Sequence, residues 1–163
     1  MLIIKPPVKL PDVRTIENSV FLGGSIDMGT CEDWQTRISN ELLQKREGLT
    51  ILNPRRDNWD SSWKQVPENR EFSEQVNWEL DAQCKASVIL YYFAPGSKSP
   101  ITLFELGLFK NNNVVVYCPR DFYRYGNVAI VCDRYYIPRV ESEDEVVELV
   151  LNELSWVNEQ RPY

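Results

Sequence analysis

The chain of 163 residues contains no histidine. That absence excludes Ser-His-Asp and Cys-His nucleophile pairs and the common His-containing zinc sites. Acid-base or nucleophilic chemistry must then fall to carboxylates, Tyr, Lys, Cys or the backbone. Cysteine is scarce: Cys31, Cys84, Cys118 and Cys132 are widely spaced, with no CxxC pair, and read as reduced, mostly buried thiols. Basic residues are in deficit, 18 against 24 acidic, for a net charge of -6. This argues against a nucleic-acid polymer as partner, because phosphate backbones demand clustered Lys and Arg, but a small phosphorylated ligand needs only a local patch. No apolar run approaches the roughly 20 residues of a membrane span, so no membrane partner is expected. The proline-broken start "MLIIKPPVKLPDVRT" is read as neither signal peptide nor anchor, which makes a cytoplasmic location the expectation.

What is there reads as one α/β domain over 18–163, preceded by an irregular lead-in over 1–17. "SVFLGGSID" (19–27) reads as a strand entering a Gly-Gly turn, and "CEDWQTRISNELLQKRE" (31–47) as a helix with Trp34, Ile38 and Leu42 four apart. "LTILNP" (49–54) is a second strand stopped by its proline. The polar, tryptophan-bearing 55–71 reads as a long functional loop. A helix is expected over 72–87 with Phe72, Val76 and Leu80 inward, and "VILYYFAP" (88–95) has the continuous apolar character of a central strand covered on both faces. "SPITLFELGLFK" (99–110) suits a helix with Ser99 as N-cap, Pro100 at the first position and an apolar face of Ile101, Phe104 and Leu108. "NNNVVVYCP" (111–119) gives a turn and a buried strand. A weaker strand is read near "VAIVCD", then "YYIPRV" and a final helix over 142–160. The alternation predicts an open, mostly parallel, doubly wound sheet of the Rossmann-like or flavodoxin-like kind, with about five strands and helices on both faces. Ligands of such sheets bind beyond the carboxyl ends of the strands. The Gly-Gly turn, the Trp-rich loop and the 94–105 segment share that end.

Glu105 stands among apolar residues near the start of a helix, where the dipole would favour its ionised form. It is either a nucleophile facing the cleft or a carboxylate on a partly exposed face. Glu79, 26 positions earlier, is either its partner or a solvated helix residue. One nucleophilic carboxylate and one proton donor are what cleavage of a glycosidic bond requires. Gly23, Gly24 and Ser25 form either an anion-binding backbone turn or a plain one. Ser99 is an N-cap or a phosphate ligand, and Arg55 and Arg56 a phosphate clamp or surface ion pairs. Trp59 and Trp63 either stack a base or close the loop onto the core.

Together these residues resemble the nucleoside 2-deoxyribosyltransferase family and the related deoxynucleoside 5'-monophosphate N-glycosidases, over about residues 18–130. The resemblance rests chiefly on "FELG" after a strand and short loop. It implies that Glu105 is the nucleophile that takes the sugar and that Glu79, in place of the usual Asp, assists the leaving base. It further implies that Asn127 of "RYGNVAI" corresponds to an asparagine lent by a neighbouring subunit, hence a homo-oligomer. The implied partner is a small nucleoside or nucleotide, and no metal or organic cofactor is implied. Ser99 replaces a base-contacting Asp of the transferases and is closer to a phosphate-binding Ser of the monophosphate glycosidases. Asp27, in "GGSIDMG", stands where a basic residue would help a phosphate, and Phe21 where the transferases carry an orienting Tyr. The expected reaction is cleavage of a deoxynucleoside N-glycosidic bond through a glycosyl-Glu intermediate, with transfer to a base or to water. Strict hydrolysis of monophosphates, glycohydrolysis of a larger nucleotide such as NAD, and non-catalytic nucleotide binding stay open.

Overall fold

The structure is a computed structural model in which residues 2–25 and 32–160 are described. Asp27 and Cys31 lie outside the described residues.

The elements follow in the order β1 (Leu2–Ile4), β2 (Ile16–Gly24), α1 (Trp34–Lys45), β3 (Thr50–Leu52), α2 (Arg70–Lys85) and β4 (Ala86–Tyr92). Next come α3 (Pro100–Phe109), β5 (Val114–Tyr117), α4 (Tyr125–Tyr135), β6 (Arg139–Val140) and α5 (Val146–Glu159). The strands form one sheet in the order β1-β3-β2-β4-β5-β6, and every pairing is parallel. Strand alternation sorts the core into two layers. Phe21, Ile89, Tyr91, Val114 and Val116 meet α2, α3 and α4 on one face. Val20, Leu22, Val88, Leu90, Val115 and Tyr117 meet α1 and α5 on the other. The chain reverses its winding between β2 and β4, and their carboxyl ends bound the crevice where such sheets take ligands.

The doubly wound parallel sheet is therefore as expected, with six strands rather than about five. Four of the strands read in the sequence stand as β2 to β5; β1 pairs with β3 from within the stretch read as irregular lead-in, and β6, at the end of "YYIPRV", pairs with β5. "VAIVCD" is not a strand: it lies in α4, with Val128 and Cys132 buried four residues apart and Ile130 exposed. A short β-branched run satisfies both periods, and only its packing against β5 selects the helix. The Gly-Gly pair is not a turn either. Gly23 and Gly24 end β2, opposite Tyr91 and Tyr92 of β4. On α2, Val76 is exposed and the buried side is Gln75, Trp78, Ala82 and Gln83. The long loop is present, running from the end of β3 to Asn69, which caps α2 by accepting from the Phe72 N–H. Among the described residues no helix is long and apolar enough to cross a membrane.

Candidate active site

Both candidate carboxylates stand on helices, α2 and α3, that pack on the same face of the sheet. Pro100 fits the first position of α3, where no N–H is needed. Turning inward from there are Thr102, Glu105, Leu106 and Phe109. Glu105 is only 7% exposed, which rules out the reading of a surface carboxylate. Ile101, Phe104 and Leu108, expected to face the core, point to solvent instead. The helix is thus turned so that its carboxylate faces inward while three large apolar side chains face out.

Glu105 is fixed from α2: the Gln83 amide donates to its Oε1 at 2.9 Å. The same amide nitrogen donates to the Glu79 carbonyl oxygen at 3.2 Å, one turn earlier. Glu79 holds its own side chain against Gln75, whose amide donates to Oε1 at 2.6 Å and to the Pro54 carbonyl at 2.8 Å. Each carboxylate thus has its own glutamine, Gln75 for Glu79 and Gln83 for Glu105, and Gln83 joins the two residues only through the Glu79 backbone carbonyl. Burial shifts both in the same direction. Burial pushes the Glu79 carboxyl up to about 8; the Gln75 hydrogen bond opposes this and the charge of Glu105 reinforces it. Burial also raises Glu105, against the Gln83 hydrogen bond. The expected preference of Glu105 for ionisation through the helix dipole is outweighed, because it is the sixth residue of α3 and lies beyond the first turn. A Glu79 carboxyl held up to about 8 thus stands near a Glu105 carboxyl that accepts from the Gln83 amide.

At the N-terminal end of α3 stands a cluster of three buried hydroxyls. Ser25 Oγ, just past β2, donates to Ser97 Oγ at 2.8 Å and is hydrogen-bonded to Ser99 Oγ. Ser97 and Ser99 lie 2.8 Å apart, Oγ to Oγ, and Ser97 Oγ donates to the Ala94 carbonyl at 2.8 Å. Ser99 occupies the N-cap position of α3 without capping it. Its backbone is left-handed, φ 45°, and its hydroxyl turns to the other serines rather than to the helix N–H groups.

The remaining expected residues have mostly local work. Gly23 and Gly24 let two strands and two aromatic rings close together. A Cβ on Gly23 would sit 2.8 Å from the Tyr91 ring, and one on Gly24 2.4 Å from the Tyr92 carbonyl oxygen. Arg55 meets Gln35 at 3.5 Å and Asp33, the cap of α1, at 3.7 Å. Arg56 is bound to Asn58 and Glu74 and lies over the Trp63 ring, so it clips the loop to α2. Trp59 meets Trp63 edge-on at 5.1 Å and remains partly exposed. Asn127 is exposed on α4. Phe21 is buried and offers no hydroxyl to Glu105. Burial pushes the Cys118 and Cys132 thiols up to about 12 and about 11, which suits core residues rather than nucleophiles. A polar cavity of about 510 Å³ at the opposite end of the strands, lined by Arg14, Cys84, Asn111 and Trp156 among others, contains neither carboxylate.

Sequence reasoning missed Gln75, Gln83, Tyr91 and Ser97. Gln75, Glu79 and Gln83 recur every four residues along α2, a polar stripe on a helix otherwise expected to bury carbon. That period is the signal that points to them. Among curated proteins, none matches the chain. A family model described as "Nucleoside 2-deoxyribosyltransferase like" matches residues 17–122. That stretch takes in β2 through β5 and both carboxylates, and the chain belongs to the nucleoside 2-deoxyribosyltransferase-like family.

Proposed function

We propose that the protein cleaves the N-glycosidic bond of 2'-deoxynucleosides or their 5'-monophosphates. The observation that carries this reading is that Glu79 on α2 feels the charge of Glu105 on α3, with Gln83 donating both to the Glu105 carboxyl and to the Glu79 backbone carbonyl, and that burial pushes the Glu79 carboxyl up to about 8. An oxygen of Glu105 attacks C1' of the sugar, the C1'–N bond breaks, and its electron pair leaves with the base. Glu79 gives that base its proton. Water or a nitrogen of a second base then attacks C1', Glu105 departs as carboxylate, and the proton lost by the acceptor returns to Glu79. The exposed Asn127 of α4 serves the cleft of a neighbouring subunit in a homo-oligomer.

The buried hydroxyls of Ser25, Ser97 and Ser99 favour the monophosphate as substrate. Three polar groups stand at the carboxyl end of β2 and β4, beside the start of α3, and a 5'-phosphate there would replace their mutual hydrogen bonds.

Each deoxynucleoside and monophosphate is to be incubated with and without an acceptor base. Free base without acceptor identifies a hydrolase; exchange only with acceptor identifies a transferase. Ser99→Ala should raise KM for a monophosphate while leaving that for the nucleoside unchanged. Glu105→Ala should reduce turnover to background and abolish the sugar adduct seen by intact mass. Undiminished activity in Glu105→Ala overturns the mechanism, and binding without turnover in the wild-type protein overturns the enzymatic reading.

A further inference from the structure

Gln83 is fully buried, and every hydrogen-bonding group of its side chain is used. Its Nε2 donates to Glu105 Oε1 at 2.9 Å and to the Glu79 carbonyl at 3.2 Å, while its Oε1 accepts from the Tyr91 hydroxyl. Chemistry fixes this orientation. A flipped amide would set its oxygen against a carboxylate oxygen and a carbonyl oxygen, two acceptors with no proton between them. Tyr91 is itself immobilised, fully buried on β4 with its ring against Gly23.

We propose that Gln83, oriented by Tyr91, is the positioning residue of the Glu105 carboxylate, pinning Oε1 so that Oε2 is the oxygen presented to the sugar. This rests on Glu105 being the nucleophile. The arrangement has a directional logic: the tyrosine O–H settles which end of the amide is oxygen, and the amide N–H then settles where the carboxylate points. Hydrogen bonds to the charged form also favour ionisation, which counters the burial that raises Glu105. Among the described residues, the titratable groups that face Glu105 are Glu79 from α2 and Tyr91 from β4. Both are held protonated by burial, and both respond to the Glu105 charge.

The test uses two variants that keep the core filled, Gln83→Met and Tyr91→Phe. It has two readouts: the pH profile of kcat, and the titration of Glu105 followed by carbon-13 NMR of its carboxyl in the free enzyme. Gln83→Met should lower kcat by about 10- to 100-fold, the loss of one hydrogen bond to a charged group. It should also move both the acid limb and the Glu105 titration to higher pH. Tyr91→Phe should shift them in the same direction by less, because the amide keeps its nitrogen near Glu105 but loses the partner that orients it. A purely structural role would lower the melting temperature and leave the titration in place, and that result overturns the proposal. If Gln83→Met does not fold, Tyr91→Phe alone decides, and an unshifted titration there also overturns it. The two readings separate cleanly. Full activity in Glu105→Ala defeats the nucleophile assignment, whereas an inactive Glu105→Ala with an unshifted Gln83→Met defeats only the positioning role.

Discussion

Glu79 carries the largest consequence of any single residue, because its proton is held by the fold itself. Its carboxyl titrates at about 8 in the folded chain against an ordinary 4.5. Between those values the native state keeps a proton that the unfolded state has lost, so stability falls as pH rises. The contribution is complete below about pH 4.5 and gone above about pH 8. Denaturant unfolding of the wild type at pH 5 and pH 8 should therefore differ by a few kcal/mol attributable to this group, on the order expected for such a linkage. Glu79→Gln keeps the shape and should flatten that slope. The same variant should lower kcat by about 10²- to 10⁴-fold, the usual worth of a general acid. Activity in the wild type should show an alkaline limb near pH 8, where Glu79 loses its proton. A pH-independent stability difference between wild type and Glu79→Gln would remove the basis for this account.

Among the elements, β2 and α3 show opposite uses of glycine. Gly24 sits where a Cβ would lie 2.4 Å from the Tyr92 carbonyl oxygen and 2.7 Å from the Trp34 ring. Neither neighbour can yield freely, since Tyr92 is in the ladder and its ring stacks on Trp34 at 4.2 Å. Gly24→Ala should cost about 1–3 kcal/mol, the range for forcing extra volume into a packed core. Gly107, within α3, has nothing within 4 Å of the place a Cβ would take, so Gly107→Ala should stabilise by ~1 kcal/mol through helix propensity. Thermal unfolding of the two variants beside the wild type reads both signs at once. Legibility in the sequence divides along similar lines. The strands β4 and β5 are plain as continuous apolar runs because each is covered on both faces. β1 is hidden in a three-residue apolar stretch ahead of two prolines, and its strand character comes from pairing with β3 rather than from its own length. α4 reads as a strand because "VAIVCD" is β-branched, and its helical period shows only against the layer it packs on.

For the whole molecule, the exposed side of α3 raises the question of assembly. Ile101, Phe104 and Leu108 are each more than half exposed, and Ile130 and Tyr136 at α4 are exposed on the same face of the sheet. A homo-oligomer of the kind proposed above would cover this apolar face. Phe104→Glu should then shift sedimentation from oligomer to monomer and reduce turnover together. A wild-type protein that sediments as a monomer at the concentrations used for assays contradicts this.

The sequence by itself determined the alternation of strand and helix, the parallel sheet that follows from it, and the dependence on carboxylates in a chain without histidine. It also drew attention to Glu105, a carboxylate amid apolar helix positions, and to Glu79 through its spacing of 26 from Glu105, but left a solvated reading open for both. The tertiary structure decided which way α3 turns. Apolar residues lie on nearly every side of that helix, with Leu103, Leu106 and Phe109 competing with Ile101, Phe104 and Leu108, so its sequence carries no strong preference for a face. Packing on the sheet chose the face that buries Glu105. It likewise set Gln83 between Tyr91 and Glu105, a meeting of three elements that no local pattern encodes.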